Sequence, residues 1–76
     1  MIAIDAELDT SGLQCPLPML KTKKALAGLR SGQVLRMIAT DPDSVRDVET
    51  LSRQLGHTLL EAREDGGRFC FLLRKA

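Results

Sequence analysis

The sequence predicts an α+β fold: a two-layer α/β sandwich in which two helices pack on one face of a four-stranded mixed sheet. Apolar and polar residues alternate as in strands at both ends of the chain, and two proline-marked starts open helical segments between them. The predicted element order is therefore βαβαββ. A chain of 76 residues has the size of one domain, so we expect a single domain over residues 1–76. With only two helices, packing both on the same face of the sheet is the most economical arrangement.

The first half of the chain predicts a strand, a helix and a second strand. Residues 2–9 alternate with period two, which indicates a strand with one buried face, and residues 10–12 break the pattern as a loop. A helix is expected from Pro16 to about Arg30, ended by residues 31–32. Residues 33–40, "QVLRMIAT", are apolar at both parities, as in an interior strand. A right-handed crossover makes these two strands parallel.

The second half predicts a helix followed by a β-hairpin. Asp41 and Pro42 are typical of a helix start, with Asp41 as the N-cap. The helix is expected to end at Gly56 and to place four residues on one face: Val45, Val48, Ser52 and Leu55. Residues 58–64 and 68–75 then form strands around the turn "DGG" at residues 65–67.

The alternation of the last strand separates two faces of the sheet. Three of its residues are expected to face the helices: Phe69, Phe71 and Leu73. Four residues are expected on the opposite, open face: Cys70, Leu72, Val34 and Ile38. This open face is apolar enough to indicate a partner or a second copy of the chain.

Composition excludes several kinds of partner. The formal net charge is +1, and the chain has no Trp, no Tyr and two Phe, so it lacks the basic excess and the aromatic platforms of nucleic-acid-binding proteins. The start "MIAIDAELD" has no basic region followed by an apolar run, and no stretch approaches the ~18 apolar residues of a membrane span. We expect a cytoplasmic protein that contacts neither nucleic acid nor membrane directly.

The two cysteines, Cys15 and Cys70, form no metal-binding motif. Zinc sites use three or four ligands with close pairs, and the only histidine, His57, is near neither cysteine in sequence. We therefore expect no metal and no cofactor, and two free thiols in a reducing cytoplasm. The strand composition "RFCFLL" predicts a structural role for Cys70, while no histidine stands near Cys15 to form a Cys–His pair.

The stretch "SGLQCPLPML" (residues 11–20) indicates a reactive thiol at Cys15. We predict Cys15 at the N-cap and Pro16 at the first helical position, so that the N–H of Leu17 is the natural donor to the sulfur. The helix dipole stabilises a thiolate there, and thiol pKa values at helix N-termini fall to roughly 3.5–7.5. Pro16 and Pro18 fix the direction of the sulfur, and Gly12 makes the turn and leaves access.

A helical wheel predicts what surrounds this thiol. Six residues should face the sheet: Pro18, Met19, Thr22, Ala25, Leu26 and Leu29. Four should lie on the opposite side: Leu17, Leu20, Lys21 and Lys24. This mixture of exposed apolar and basic residues is typical of a docking surface for a partner that is acidic around an apolar pocket. A nucleophile without base, pocket or resolving thiol suits a carrier better than an enzyme.

The stretch "LDTSGLQCPLPMLKTKKAL" (residues 8–26) resembles the TusA/SirA family of sulfur-carrier proteins, whose signature is a Cys-Pro-X-Pro helix start. The resemblance extends to "ATDPDSVRDV" (residues 39–48) and to the closing hairpin "FLLRK". It implies a two-layer α/β sandwich and a sulfur carried as a persulfide on Cys15. Implied donors are rhodanese-type sulfurtransferases or cysteine desulfurases, and implied acceptors are DsrE-type proteins or tRNA-thiolation enzymes. Whether such a sulfurtransferase-like carrier counts as an enzyme is left open.

Two alternatives stay open at this point. The second helix, "VETLSRQLG", has no aromatic residue, which mildly favours a general or dissimilatory sulfur-trafficking protein over one for tRNA thiolation. The chain could instead be a non-catalytic regulatory module that binds a partner through its open sheet face. In that case a change at Ile38 or Leu72 would abolish function, whereas Cys15→Ser would not.

Overall fold

The computed structural model describes residues 3–14 and 16–76 and has the predicted element order. The strands are β1 (Ala6–Thr10), β2 (Val34–Ala39), β3 (Thr58–Asp65) and β4 (Arg68–Arg74), and the helices are α1 (Leu17–Ala27) and α2 (Ser44–Leu55). The sheet order is β1-β2-β4-β3, with β1 parallel to β2 and the other pairs antiparallel. The predicted four-stranded mixed sheet with two helices is confirmed. No helix in the described ranges is both long and apolar enough to cross a membrane.

The core lies between the helices and one face of the sheet. Alternate residues of β2 and β4 supply its centre, and these are fully buried: Leu35, Met37, Phe71 and Leu73. Register explains the grouping, because Leu35 pairs with Leu73 and Met37 with Phe71 across the strands. The helices add Leu26, Val48 and Leu51. The prediction that the aromatic side of β4 faces the helices is therefore confirmed.

Helix α1 is shorter than predicted. It ends at Ala27 rather than near Arg30, because two short-range hydrogen bonds tighten and close the last turn. The N–H of Gly28 donates to the Ala25 carbonyl at 3.2 Å, and the N–H of Leu29 donates to the Leu26 carbonyl at 3.1 Å. The Lys75 ammonium also donates to the Leu26 carbonyl, at 2.8 Å. Lys75 directly follows β4, so a residue distant in sequence contributes to the end of α1.

Helix α2 begins later than predicted. Its N-cap is Asp43, not Asp41, and the Asp41 carboxylate accepts the N–H of Asp43 at 3.0 Å. Asp41 therefore closes the turn before the helix, as aspartates commonly do. Gly56 ends the helix in the left-handed conformation, φ 77°, as expected. The inner face also includes Leu51, which the helical-wheel prediction omitted.

The hairpin turns at Gly66 and Gly67, with φ 58° and 86°, so both turn residues need the positive φ of a type I′ turn. Asp65, predicted in the turn, belongs to β3. At the other end of the chain β1 starts at Ala6, later than the period-two pattern indicated. Asp5 precedes it and clamps the start of β2: its N–H donates to the Val34 carbonyl, and its carboxylate accepts the Val34 N–H at 2.8 Å.

Candidate functional site

Cys15, the predicted nucleophile, lies outside the described residues, and the structure describes the chain on both sides of it. Residues 10–14 lead out of β1, and Pro16 leads into α1. These two flanking segments are the parts of the candidate site that the structure describes. In sequence Cys15 follows the loop that leaves the carboxyl end of β1, and β1 lies parallel to β2. In α/β folds the carboxyl edge of parallel strands commonly carries binding residues.

The segment before Cys15 is tied to the sheet by side-chain hydroxyls. The Thr10 hydroxyl donates to the Ile38 carbonyl at 2.6 Å, and the Gly12 N–H donates to the Thr40 hydroxyl at 2.8 Å. The Leu13 N–H donates back to the Thr10 carbonyl at 3.1 Å. These bonds hold a tight turn against the ends of β1 and β2, so the reactive residue follows a fixed stretch of backbone.

Gly12 and Asp9 have separate roles in this turn. Gly12 has φ 82°, a conformation that favours glycine, yet a Cβ there would meet no described atom within 4 Å. Backbone conformation rather than lack of space therefore requires glycine. Asp9 accepts the backbone N–H of Ser11 at 2.9 Å. Hydrogen bonds from the side chain and backbone of Ser11 lower the pKa of the Asp9 carboxyl, with a smaller contribution from Arg68.

The start of α1 differs from the prediction by one residue. The N-cap is Pro16, with φ −97° and ψ 11°, rather than Cys15, and the first helical residue is Leu17. The N–H of Leu17, expected to face the sulfur, donates to the Gln14 carbonyl at 2.9 Å. A backbone turn from Gln14 to Leu17 thus closes before the helix begins, which shifts the helix start. The predicted cap geometry is wrong, although Cys15 still directly precedes the cap residue in sequence.

The two prolines of the motif differ in burial and in the hydrogen bonds that their carbonyls accept. Pro16 is exposed, and its carbonyl accepts the N–H of Leu20 at 3.1 Å, the first bond of the helix. Pro18 is buried, and its carbonyl accepts the Thr22 hydroxyl at 2.7 Å. Pro18 is therefore part of the buried side of α1, whereas Pro16 lies at its exposed start.

The outer face of α1 carries the residues that the helical wheel placed there. Leu17 is 46% exposed and Leu20 is 58% exposed. Lys21 and Lys24 are exposed beside them. The inner stripe lies as expected, with Pro18, Thr22 and Leu26 buried. Two large apolar side chains and two ammonium groups therefore share one solvent-facing surface beside the motif, which we call the α1 outer face.

The open face of the sheet is not the apolar surface that the sequence indicated. Val34 and Leu72 are 6% and 8% exposed, although they point away from the helices. Charged side chains occupy this face, including Arg36, whose guanidinium lies 3.6 Å from Glu7. Cys70 is a free, half-buried thiol on the same face. Alternation along β2 places Arg36 between Val34 and Ile38 on this face, so the sequence pattern could have found it, and the register pairs it with Leu72.

The described part of the chain contains no group of three or more His, Cys, Asp or Glu residues that could hold a metal ion.

Comparison with known proteins identifies the family. The family model described as sulfurtransferase TusA matches residues 6–75. The chain belongs to the TusA family. It is 53% identical over 76 residues to the sulfur carrier protein TusA of Allochromatium vinosum, with 100% of both chains covered. It is 42% identical over 71 residues to the sulfur carrier protein TusA of Pseudomonas putida GB-1, covering 93% of this chain and 89% of the relative.

A solved structure supports the same assignment. The crystal structure of the SirA-like protein from Desulfitobacterium hafniense matches with a TM-score of 0.82 at 25% sequence identity, covering 92% of this chain and 96% of that one. The family resemblance carried by the Cys-Pro-X-Pro motif is confirmed, and so is the TusA-like fold.

Proposed function

We propose that the protein is a sulfur carrier that holds sulfur as a persulfide on Cys15 and passes it between partner proteins. The observation that carries the proposal is the position of Cys15 in the chain. It stands between a turn bonded to the sheet through Thr10 and Gly12 and a helix whose outer face exposes Leu17 and Leu20. The names of the relatives, which are sulfur carrier proteins, support the same function.

The transfer needs no cofactor. A donor protein carries an outer sulfur on its own cysteine, and the Cys15 thiolate attacks that outer sulfur. The donor's S–S bond breaks, a new S–S bond forms on Cys15, and the donor leaves as a thiolate. The same exchange with an acceptor thiolate empties the carrier. Since only the thiolate attacks, a low pKa would favour loading.

The positive end of α1 is the structural feature that can stabilise the thiolate. Leu17 donates its N–H to Gln14, and Pro18 has no N–H, so these two residues offer the sulfur no backbone donor. Stabilisation would then come from the field of the helix, worth roughly 0.3–1 kcal/mol. We expect the alkylation rate of Cys15, measured against pH in a Cys70→Ser background, to give a pKa below that of a free thiol. An unshifted or raised value would rule out activation by α1.

The α1 outer face indicates the chemistry of the partners. Exposed leucines beside lysines fit an apolar pocket rimmed with carboxylates. We propose a rhodanese-type sulfurtransferase or a cysteine desulfurase as donor, and a DsrE-type protein or a tRNA-thiolation enzyme as acceptor. A reducing cytoplasm, which keeps both thiols free, is the compartment this cycle needs.

The test is loading followed by intact mass measurement. The protein is incubated with thiosulfate and a rhodanese, and the gain of one sulfur atom is followed in the wild type, Cys15→Ser and Cys70→Ser. We expect the gain in the wild type and in Cys70→Ser, and none in Cys15→Ser. Cys70→Ser is the matched control because it removes the other thiol of the chain. An equal gain in Cys15→Ser would overturn the proposal.

The alternative is an interaction module that uses the open sheet face, and it is less well supported by the structure than by the sequence pattern. Of the apolar residues that motivated it, Val34 and Leu72 are buried and Ile38 is half-buried. The surface that remains there combines charges with a thiol.

A further inference from the structure

A cavity of about 420 Å³ lies on the open face of the sheet, on the side away from the helices. Six of the residues that line it carry charge or a thiol: Arg36, Arg63, Arg68, Glu64, Asp65 and Cys70. Register explains why they meet, because Cys70 on the central strand β4 pairs with Ile38 on one side and Arg63 on the other. The volume lies within the roughly 300–1,000 Å³ range of small-molecule sites.

Arg36 lines the cavity together with the thiol. The pKa of Arg36 is raised, first by the Cys70 side chain and to a smaller extent by Glu7. Its Nε atom is buried and makes no hydrogen bond within the described residues. A guanidinium in this position can stabilise negative charge on sulfur while a bond to that sulfur forms or breaks.

The other charges of the cavity have both signs. Arg63 lies 3.5 Å from Glu61 at the surface. Arg68 forms no salt bridge with a described residue, although its charge acts on the Asp9 carboxylate. Glu64 and Asp65 line the same cavity. A ligand that matches this lining has carboxylates for the arginines and an ammonium group for the carboxylates, as amino-acid and peptide thiols do.

We propose that this cavity binds a small disulfide whose substituents carry both carboxylate and ammonium groups, and that Cys70 undergoes thiol–disulfide exchange with it. The Cys70 thiolate attacks one sulfur of the disulfide, whose S–S bond breaks. A mixed disulfide forms on Cys70, and the other half leaves as a thiolate that takes up the proton lost from Cys70. Cys70 is oxidised, and the departing half is reduced to a thiol. This site is independent of the sulfur-carrier function of Cys15.

The experiment uses glutathione disulfide as the probe on the full chain. After incubation and alkylation of remaining thiols, trypsin separates residues 69–74, which contain Cys70, from residues 1–21, which contain Cys15. We expect a glutathionyl adduct on the peptide of residues 69–74, removed by a reductant. A peptide of residues 69–74 that stays unmodified while free N-acetylcysteine in the same solution reacts would overturn the proposal.

Charge recognition is tested by rates in a Cys15→Ser background. Arg68→Gln is expected to slow the reaction of Cys70 with glutathione disulfide by roughly tenfold, the low end of electrostatic effects on association rates, and to leave its reaction with neutral bis(2-hydroxyethyl) disulfide unchanged. Arg53→Gln, an exposed change in α2, is the matched control. Equal rates for Arg68→Gln and Arg53→Gln with glutathione disulfide would show that the cavity does not select the ligand and would overturn the proposal. Because Arg68 is exposed, its replacement should not prevent folding.

Discussion

Helices α1 and α2 pack on the same face of the sheet, yet they present different outer surfaces to solvent. In α2 the buried side is formed by Ser44, Val48, Leu51 and Ser52, and only Leu55, in its last turn, is a large exposed apolar residue. In α1 the exposed leucines lie in the first turn, next to the Cys-Pro-X-Pro motif. The inner sides are alike even in detail, since Thr22 and Ser52 both donate to the carbonyl four residues earlier.

The difference supports the proposal that α1 is the docking helix. A single exposed leucine, such as Leu55 on α2, is common at protein surfaces and carries no functional signal. Two exposed leucines beside Lys21 and Lys24 at the motif end of α1 form a patch, which fits contact with another protein. We therefore propose that α1 combines structure with docking, whereas α2 mainly covers the sheet.

The largest expected effect comes from a substitution on the buried side of α1. Leu26 is 1% exposed, so Leu26→Ala should lower the free energy of unfolding by about 2–5 kcal/mol. Leu20→Ala removes the same atoms from the outer face and should change it by no more than about 0.5 kcal/mol. Urea denaturation of both variants checks this. Similar losses in the two would mean that the outer face is part of the core.

A smaller effect is expected when matched substitutions are compared on the outer faces of the two helices. Leu20→Glu should lower the rate of sulfur loading from a rhodanese by roughly tenfold, which corresponds to about 1.4 kcal/mol at a docking contact. Leu55→Glu places the same charge on α2 at similar exposure and should leave the rate unchanged. Mass-resolved loading kinetics measure both variants. If Leu55→Glu slowed loading as much as Leu20→Glu, net charge rather than the α1 outer face would control docking.

Short-range patterns predicted the element order and the two faces of α1, because both depend on periods of two and 3.6 residues. Some of the parts that were missed depend on distant contacts. The end of α1 depends on Gly28 and on Lys75, which comes from the end of β4. The open face was predicted to be apolar because Arg36, which alternation places between Val34 and Ile38, was left out of that prediction. The grouping of charged residues around Cys70 depends on the pairing of β2, β4 and β3, which the sequence pattern does not show.

The candidate site was also predicted only in part. The motif, the thiol and the exposed residues Leu17 and Leu20 follow from sequence spacing and family resemblance. The N-cap was wrong because the carbonyl of Gln14 takes the N–H of Leu17, and no residue type in that turn signals such a bond. Backbone hydrogen bonds among residues without special side chains leave no sequence pattern to detect.

A further contrast lies in the glycines that follow the two helices. Gly56 has φ 77°, and Gly28 has φ −83°. Gly56→Ala should lower the free energy of unfolding by roughly 1–2 kcal/mol because alanine is strained in the left-handed region. Gly28→Ala should raise it by about 0.4–1 kcal/mol, since a Cβ there meets only the Ala25 carbonyl at 3.6 Å. Thermal unfolding compares the pair, and a destabilising Gly28→Ala would contradict the assigned helix end.

The smallest expected effect is a pH dependence from His57, which follows α2. Burial, and to a lesser extent the positive charge of Lys75, lowers its pKa below 6.5. Between the folded and unfolded pKa values the unfolded chain binds more protons, so the free energy of unfolding falls as pH drops below 6.5 and levels off beneath the folded pKa.

His57→Gln should remove this dependence of the free energy of unfolding on pH, as measured by urea denaturation at a series of pH values. Asp9, in β1, is expected to act in a different pH range. Its lowered pKa contributes stability that is complete above pH 3.8 and is lost as pH falls through the folded pKa. Asp9→Asn should therefore leave the slope just below pH 6.5 intact and change only the acid end. If His57→Gln kept the full slope just below pH 6.5, another group would be titrating there, and the burial of His57 would not control it.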